Sequence, residues 1–119
     1  MIEGTKFELL GDDVEPAANT TIAILATDAV MTKAEAKRLA IMAHDGMARA
    51  ARPMHTPFDG DTVFALATAR KPLGEPRERI LSHLGAIGAD TLSRAIGRAV
   101  WEAASVGRFK SYRDVHGRA

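Results

Sequence analysis

The sequence has no cysteine, one tryptophan, one tyrosine and no excess of either charge. Without cysteine there is no disulfide framework, no Cys-based zinc site and no catalytic thiol. With 16 Lys and Arg against 15 Asp and Glu, the net charge of +1 argues against a dedicated nucleic-acid binder. A long apolar run is missing too. The longest, Ile22-Ala23-Ile24-Leu25-Ala26, is far too short to span a bilayer. The opening MIEGTKFELLGDDVEP has no basic segment followed by an apolar core, so no signal peptide is read and cytoplasmic residence is expected. The four histidines form no pair at zinc spacing, and no metal or cofactor is expected.

What remains is ordinary globular material: 119 residues, 46% hydrophobic and 26% charged, the size of one domain. The charge is unevenly spread. Residues 1–19 carry five acids and one lysine, whereas residues 20–119 carry 15 basic and 10 acidic residues. The sign therefore changes at Asn19-Thr20.

That boundary is also a change of texture. Residues 1–19 read as an exposed strand or loop around Phe7-Glu8-Leu9-Leu10, followed by a linker with turns at Gly11-Asp12-Asp13 and Pro16. From Thr20 the chain turns β-branched and almost continuously apolar, as in a strand covered on both faces. Thr32-Lys33-Ala34-Glu35 is a capping box and opens a helix expected to run to about Arg52, before Pro53. Its apolar face is Leu39, Met42, Ala43, Gly46, Met47 and Ala50, and Gly46 inside it calls for a close neighbour. A loop over 53–60 leads to a strand at Thr62–Thr68, and residues 70–79 read as an exposed connector. A helical pattern from Ile80 to Ala103 follows, with Gly85 and Gly88 expected to divide it. The glycines of Gly85-Ala86-Ile87-Gly88 lack the preceding strand that a phosphate-binding loop requires. Three segments result: a linker over 1–19, an α/β (α+β layered) domain over 20–106, and a basic solvated tail over 107–119.

Two places carry candidate chemistry. Asn19-Thr20-Thr21 can be a loop entering a strand, a formal N-x-T glycosylation acceptor without secretory context, or a self-cleavage site. In the last case the threonine hydroxyl attacks the preceding carbonyl, and the resulting ester hydrolyses to leave Thr20 as a new N-terminus. Such a residue carries its own base, because an α-amine titrates at about 7.7–8.0. The second place is His55-Thr56-Pro57-Phe58-Asp59-Gly60-Asp61-Thr62. Its two carboxylates across a glycine either converge, repel and raise one pKa, or are solvated turn residues. A calcium loop would need further oxygen ligands.

Together these segments resemble a known family. Asn-Thr-Thr followed by IAILATDA, then TKAEAKRLAIMAHDGMARAARPMHTPFDGDTVFALAT, is similar to the C-terminal part of self-processing N-terminal-nucleophile amidohydrolases. These comprise the L-aminopeptidase/D-esterases, β-peptidyl aminopeptidases and nylon-oligomer (6-aminohexanoate-oligomer) hydrolases. The resemblance runs from about Asn19 to Thr68 and more loosely to about Ala104. Threonine after the cut, with the HTPFDGDT loop, resembles the nylon-oligomer branch most.

The resemblance implies cleavage between Asn19 and Thr20, with Thr20 as nucleophile and Asp59 and Asp61 beside it. It implies a four-layer αββα sandwich, completed by a larger α chain, and a homo-oligomer of αβ units, a tetramer by family resemblance. Family precursors carry a long region before the cut, where this chain has 19 residues, so the chain reads as the β-chain-bearing portion of an amide hydrolase acting on small oligoamides or peptides. Two alternatives stand beside it: a truncated, catalytically silent assembly module, and a self-cleaving threonine acyltransferase.

Overall fold

The computed structural model of the chain describes residues 20–117. The strand expected around Phe7–Leu10 and the residue Asn19 lie outside them. In order come β1 (Ile22–Ala29), α1 (Lys33–Ala50), β2 (Thr62–Lys71), α2 (Arg77–Glu102) and the short α3 (Tyr112–His116). The class is mixed α/β, with one two-stranded sheet.

β1 and β2 are parallel, in the register Ile22↔Thr62 through Thr27↔Ala67. Parallel neighbours need a crossover, and α1 supplies it. The helix starts where the sequence says it should. The Thr32 hydroxyl accepts the Glu35 N–H at 3.2 Å, and the Glu35 carboxylate accepts the Thr32 N–H at 2.7 Å. Glu35 also takes Arg77 at the start of α2 through two 2.9 Å bonds. The Arg77 guanidinium, followed by the Thr32 donors, draws the Glu35 carboxyl down to about 2.

Strand alternation separates the sheet into two unlike faces. Ala23, Leu25, Val63 and Ala65 turn toward α1, where they join Ala40, Ala43, Met47 and Leu92 in the core. Ile22, Ile24, Phe64 and Leu66 turn the other way and stay exposed, Ile22 at 72% and Ile24 at 68%. The strand from Thr20 reads as covered on both faces, and its partner β2 shares the same sheet faces. Among the described residues both strands are covered on one.

α2 lies on α1, and small residues set the approach. A Cβ at Gly46 would collide with the Ala89 carbonyl, so this glycine lets the two helix backbones approach closely. Gly85 and Gly88 serve the same purpose from the other side, beneath Met42 and Leu25; a Cβ on Gly88 would stand 2.7 Å from Leu25 Cδ2. They do not divide the helix as the sequence suggested. Packing against α1 and β1 outweighs their low helix propensity, roughly 1 kcal/mol each. The connector before α2 is pinned as well, by buried Leu73 and by Arg77.

Part of the segment read as a tail is also folded. Val106 and Phe109 form an isolated bridge, and Ser111 caps α3 by accepting the Asp114 N–H at 3.2 Å. Ser105 accepts the Ser111 N–H at 2.7 Å and donates to Asp114. The side chains of α3 remain exposed.

The helix contact yields a paired prediction. Gly46→Ala should destabilise the chain by about 1–3 kcal/mol. Gly97→Ala, whose Cβ meets nothing within 4 Å, should stabilise it by roughly 0.5–1 kcal/mol. Urea midpoints of the two variants should therefore move in opposite directions.

Candidate active site

The parallel register decides what meets at the N-terminal edge of the sheet. With Ile22 opposite Thr62 and the Thr62 N–H bonded to the Thr21 carbonyl at 2.9 Å, Thr20 comes level with Gly60 and Thr21 with Asp61. The Gly60 N–H donates to Thr20 Oγ1 at 3.2 Å. A Cβ on Gly60 would stand 2.7 Å from the same oxygen. The glycine is therefore needed for room beside the hydroxyl, not for an unusual backbone angle. Thr20 is exposed and continues the outward alternation of Ile22 and Ile24, so its hydroxyl lies at the rim of the bare sheet face.

Asp61 ties the loop to the start of β1. One carboxylate oxygen accepts the Thr21 N–H at 2.9 Å; the other accepts the His55 N–H at 3.1 Å and lies 2.9 Å from His55 Nδ1. The Asp61 side chain is only 3% exposed. Burial pushes its carboxyl up, but the Thr21 and His55 N–H groups, with the His55 ring, outweigh it and hold the group below its ordinary value. The direction is the reverse of that expected for a mutually repelling carboxylate pair.

Asp59 does something else. Its carboxylate accepts the Thr56 N–H at 2.7 Å and its own N–H donates to the Thr56 carbonyl at 3.0 Å, which closes the turn. Thr56 Oγ1 accepts the Phe58 N–H at 3.3 Å, and Thr62 Oγ1 donates to the Gly60 carbonyl at 3.0 Å. Among the described residues, the hydrogen bonds of Asp59 stay within the loop. Of the residues singled out from sequence, Thr20 and Asp61 are both brought to the β1 start, Asp61 on the amide that follows Thr20, and Asp59 shapes the turn that carries Asp61.

Two participants were not singled out. Gly60 could have been found from the 40-residue offset once the strands were paired in register. His55 opens the same loop but was read as one of four scattered histidines; its left-handed backbone, φ 60°, turns both its N–H and its ring toward Asp61. Among the described residues, no group of three or more His, Asp or Glu side chains gathers as a metal-ligand set. No helix among them is long and apolar enough to cross a membrane.

This geometry belongs to a sequence with known relatives. The profile of peptidase family S58 matches residues 1–113. An uncharacterized aminopeptidase of Mycobacterium tuberculosis (strain H37Rv) is 45% identical over 106 residues, which cover 82% of this chain and 31% of that protein. The 6-aminohexanoate-oligomer endohydrolase of Kocuria sp. (strain KY2) is 38% identical over 95 residues, covering 76% and 26%. The enzyme of the same name from Paenarthrobacter ureafaciens is 36% identical over 103 residues, covering 81% and 29%. The chain thus spans about a third or less of the length of these curated relatives.

Asp61 supplies a pH test. A carboxyl held low in the folded state contributes stability that is present above its unfolded value and lost as pH falls through the folded one. Asp61→Asn should therefore be less stable than wild type at neutral pH. The gap should narrow below about pH 3.8, the ordinary value for the group. Urea midpoints of both forms between neutrality and about pH 2.5 check the slope.

Proposed function

The chain belongs to peptidase family S58, and from that premise we propose that it is the nucleophile-bearing portion of an amide hydrolase that cleaves itself between Asn19 and Thr20. The observation that carries this reading is the convergence on Thr20 and Thr21 of a loop 40 residues away: the Gly60 N–H on the Thr20 hydroxyl and the Asp61 carboxylate on the Thr21 N–H. A solvated loop has no need to fix a hydroxyl; a nucleophile does.

In the first step Thr20 Oγ1 attacks the Asn19 carbonyl carbon, and its proton passes to the departing Thr20 nitrogen. The C–N bond breaks, an ester joins Asn19 to Thr20 Oγ1, and water hydrolyses it. The freed α-amine then serves as base when the hydroxyl attacks a substrate amide. The Gly60 N–H favours the alkoxide as it develops on Oγ1. Asp61 holds the residue after the nucleophile, and Asp59 shapes the turn. Donors to the substrate oxyanion, often worth several kcal/mol, have to come from another layer.

The exposed face of Ile22, Ile24, Phe64 and Leu66 supports that layer. Burying each such side chain is worth roughly 1.5–3 kcal/mol, and a second sheet laid there would give the inner half of a four-layer αββα sandwich. The α chain, the αβ oligomer and cytoplasmic residence belong to this same reading. The relatives named for 6-aminohexanoate-oligomer hydrolysis favour small linear oligoamides or peptides as substrates.

Intact-mass analysis and amide hydrolysis test the proposal together. The chain is incubated with a preceding region supplied from a longer relative. A species beginning at Thr20 should appear with activity, and Thr20→Ala should abolish both while Thr20→Ser retains part of each. Gly60→Ala, which crowds Oγ1, should slow both by on the order of a hundredfold. An uncut wild type with full activity would sink the mechanism. A cut, assembled but inactive one would favour the silent assembly module.

A further inference from the structure

Asp61 by itself is a weak anchor. A carboxylate on one donor can rotate about its last torsion, and the Thr21 N–H supplies one donor. His55 adds two on the opposite oxygen, its own N–H at 3.1 Å and ring Nδ1 at 2.9 Å. An ionised carboxylate only accepts, so Nδ1 carries the proton of that contact. Both donors reach one oxygen because the His55 backbone is left-handed, at φ 60°, a region where histidine, asparagine and aspartate are enriched among non-glycine residues.

The ring is itself supported. It meets the His44 ring edge-on with centroids 5.0 Å apart. His44 lies on α1, so the support runs from helix to ring to carboxylate to the Thr21 amide. Asp59, the nearest other carboxylate in the sequence of the loop, is occupied by Thr56. His55 is hydrogen-bonded to Asp61 and to nothing on Thr20, which excludes a direct proton transfer from the hydroxyl in this arrangement.

We infer that His55 is a positioning residue for the Thr20 nucleophile: it clamps one oxygen of Asp61 so that the other fixes the Thr21 amide and, through it, the preceding hydroxyl. The inference rests on the reading of Thr20 as nucleophile. It adds that the active edge is braced by α1 through an imidazole, and that position 55 acts through its backbone and its side-chain donor at once.

The test separates ring from backbone. His55→Gly keeps the left-handed conformation and removes the ring. His55→Asn also tolerates it, and its carboxamide nitrogen can take the place of Nδ1. In the 119-residue chain, the Thr21 amide proton resonance should follow the Asp61 carboxyl during acid titration. In His55→Gly the titration midpoint should rise, since a donor and a nearby ring are lost, and its amplitude should fall by about half. His55→Asn should restore most of the amplitude. With the preceding region supplied as above, appearance of the Thr20-terminated species should slow by about tenfold or more in His55→Gly and recover in His55→Asn.

An unchanged Thr21 titration in His55→Gly overturns the clamp. A changed titration with an unchanged processing rate overturns the positioning role. If Thr20→Ala is processed like wild type, the nucleophile reading fails instead, while the Thr21 resonance still decides whether His55 clamps Asp61.

Discussion

The register of two parallel strands governs the rest of this molecule. With Ile22 opposite Thr62, Thr20 and Thr21 lie beside Gly60 and Asp61. The period of side-chain alternation is two, so a slip by one residue would exchange the faces of the sheet. With β1 slipped, Ile22 would turn onto α1 in place of Ala23, and Thr20 would lose Gly60 as its neighbour. The burial of Val63, Ala65, Ala23 and Leu25 against α1 opposes that slip. Core packing and the geometry of the hydroxyl are thus set by one choice of register.

Holding that register requires the crossover to have the right length and direction. α1 obtains its direction from the Thr32–Glu35 box at one end and its depth from Leu39, Ala43 and Met47 buried along it. Glu35 has a second use, since its carboxylate also receives Arg77 and so couples the start of α1 to the start of α2. The helices close on each other through glycine and alanine, with Gly46 against the Ala89 backbone. Close approach of backbones leaves little freedom to slide. The α1 end that carries His44, and with it the site, is held accordingly.

How much of this the sequence discloses depends on the range over which each feature acts. The α1 start and the strand cores are legible because capping and apolar runs are local. The continuity of α2 across Gly85 and Gly88 is not, because what holds those glycines in a helix is Met42 and Leu25 from other elements. The order within 106–117 rests on Ser105, Ser111 and Asp114, polar residues whose pattern looks like tail until they bond one another. At the site, Thr20 and Asp61 stand out locally only as candidates beside a strand entry and a turn, and it is the resemblance to a family whose motif joins them that links the two. His55 escaped because a left-handed backbone at a histidine has no periodic signature.

The bare face and the site explain one another. Strands apolar on both sides imply cover on both sides, yet the described residues supply α1 and α2 to one side only. Thr20 lies at the rim of the open side, at the end of the outward-facing row of Ile22 and Ile24. The Thr20 hydroxyl placed there has its own loop for alignment but an open approach from the other direction. Whatever buries Ile22, Ile24, Phe64 and Leu66 also stands over the hydroxyl. On the proposed function, it would exclude water from the reacting carbonyl and bring oxyanion donors to it. Completion of the core and completion of the catalytic site are, on the proposed function, a single event.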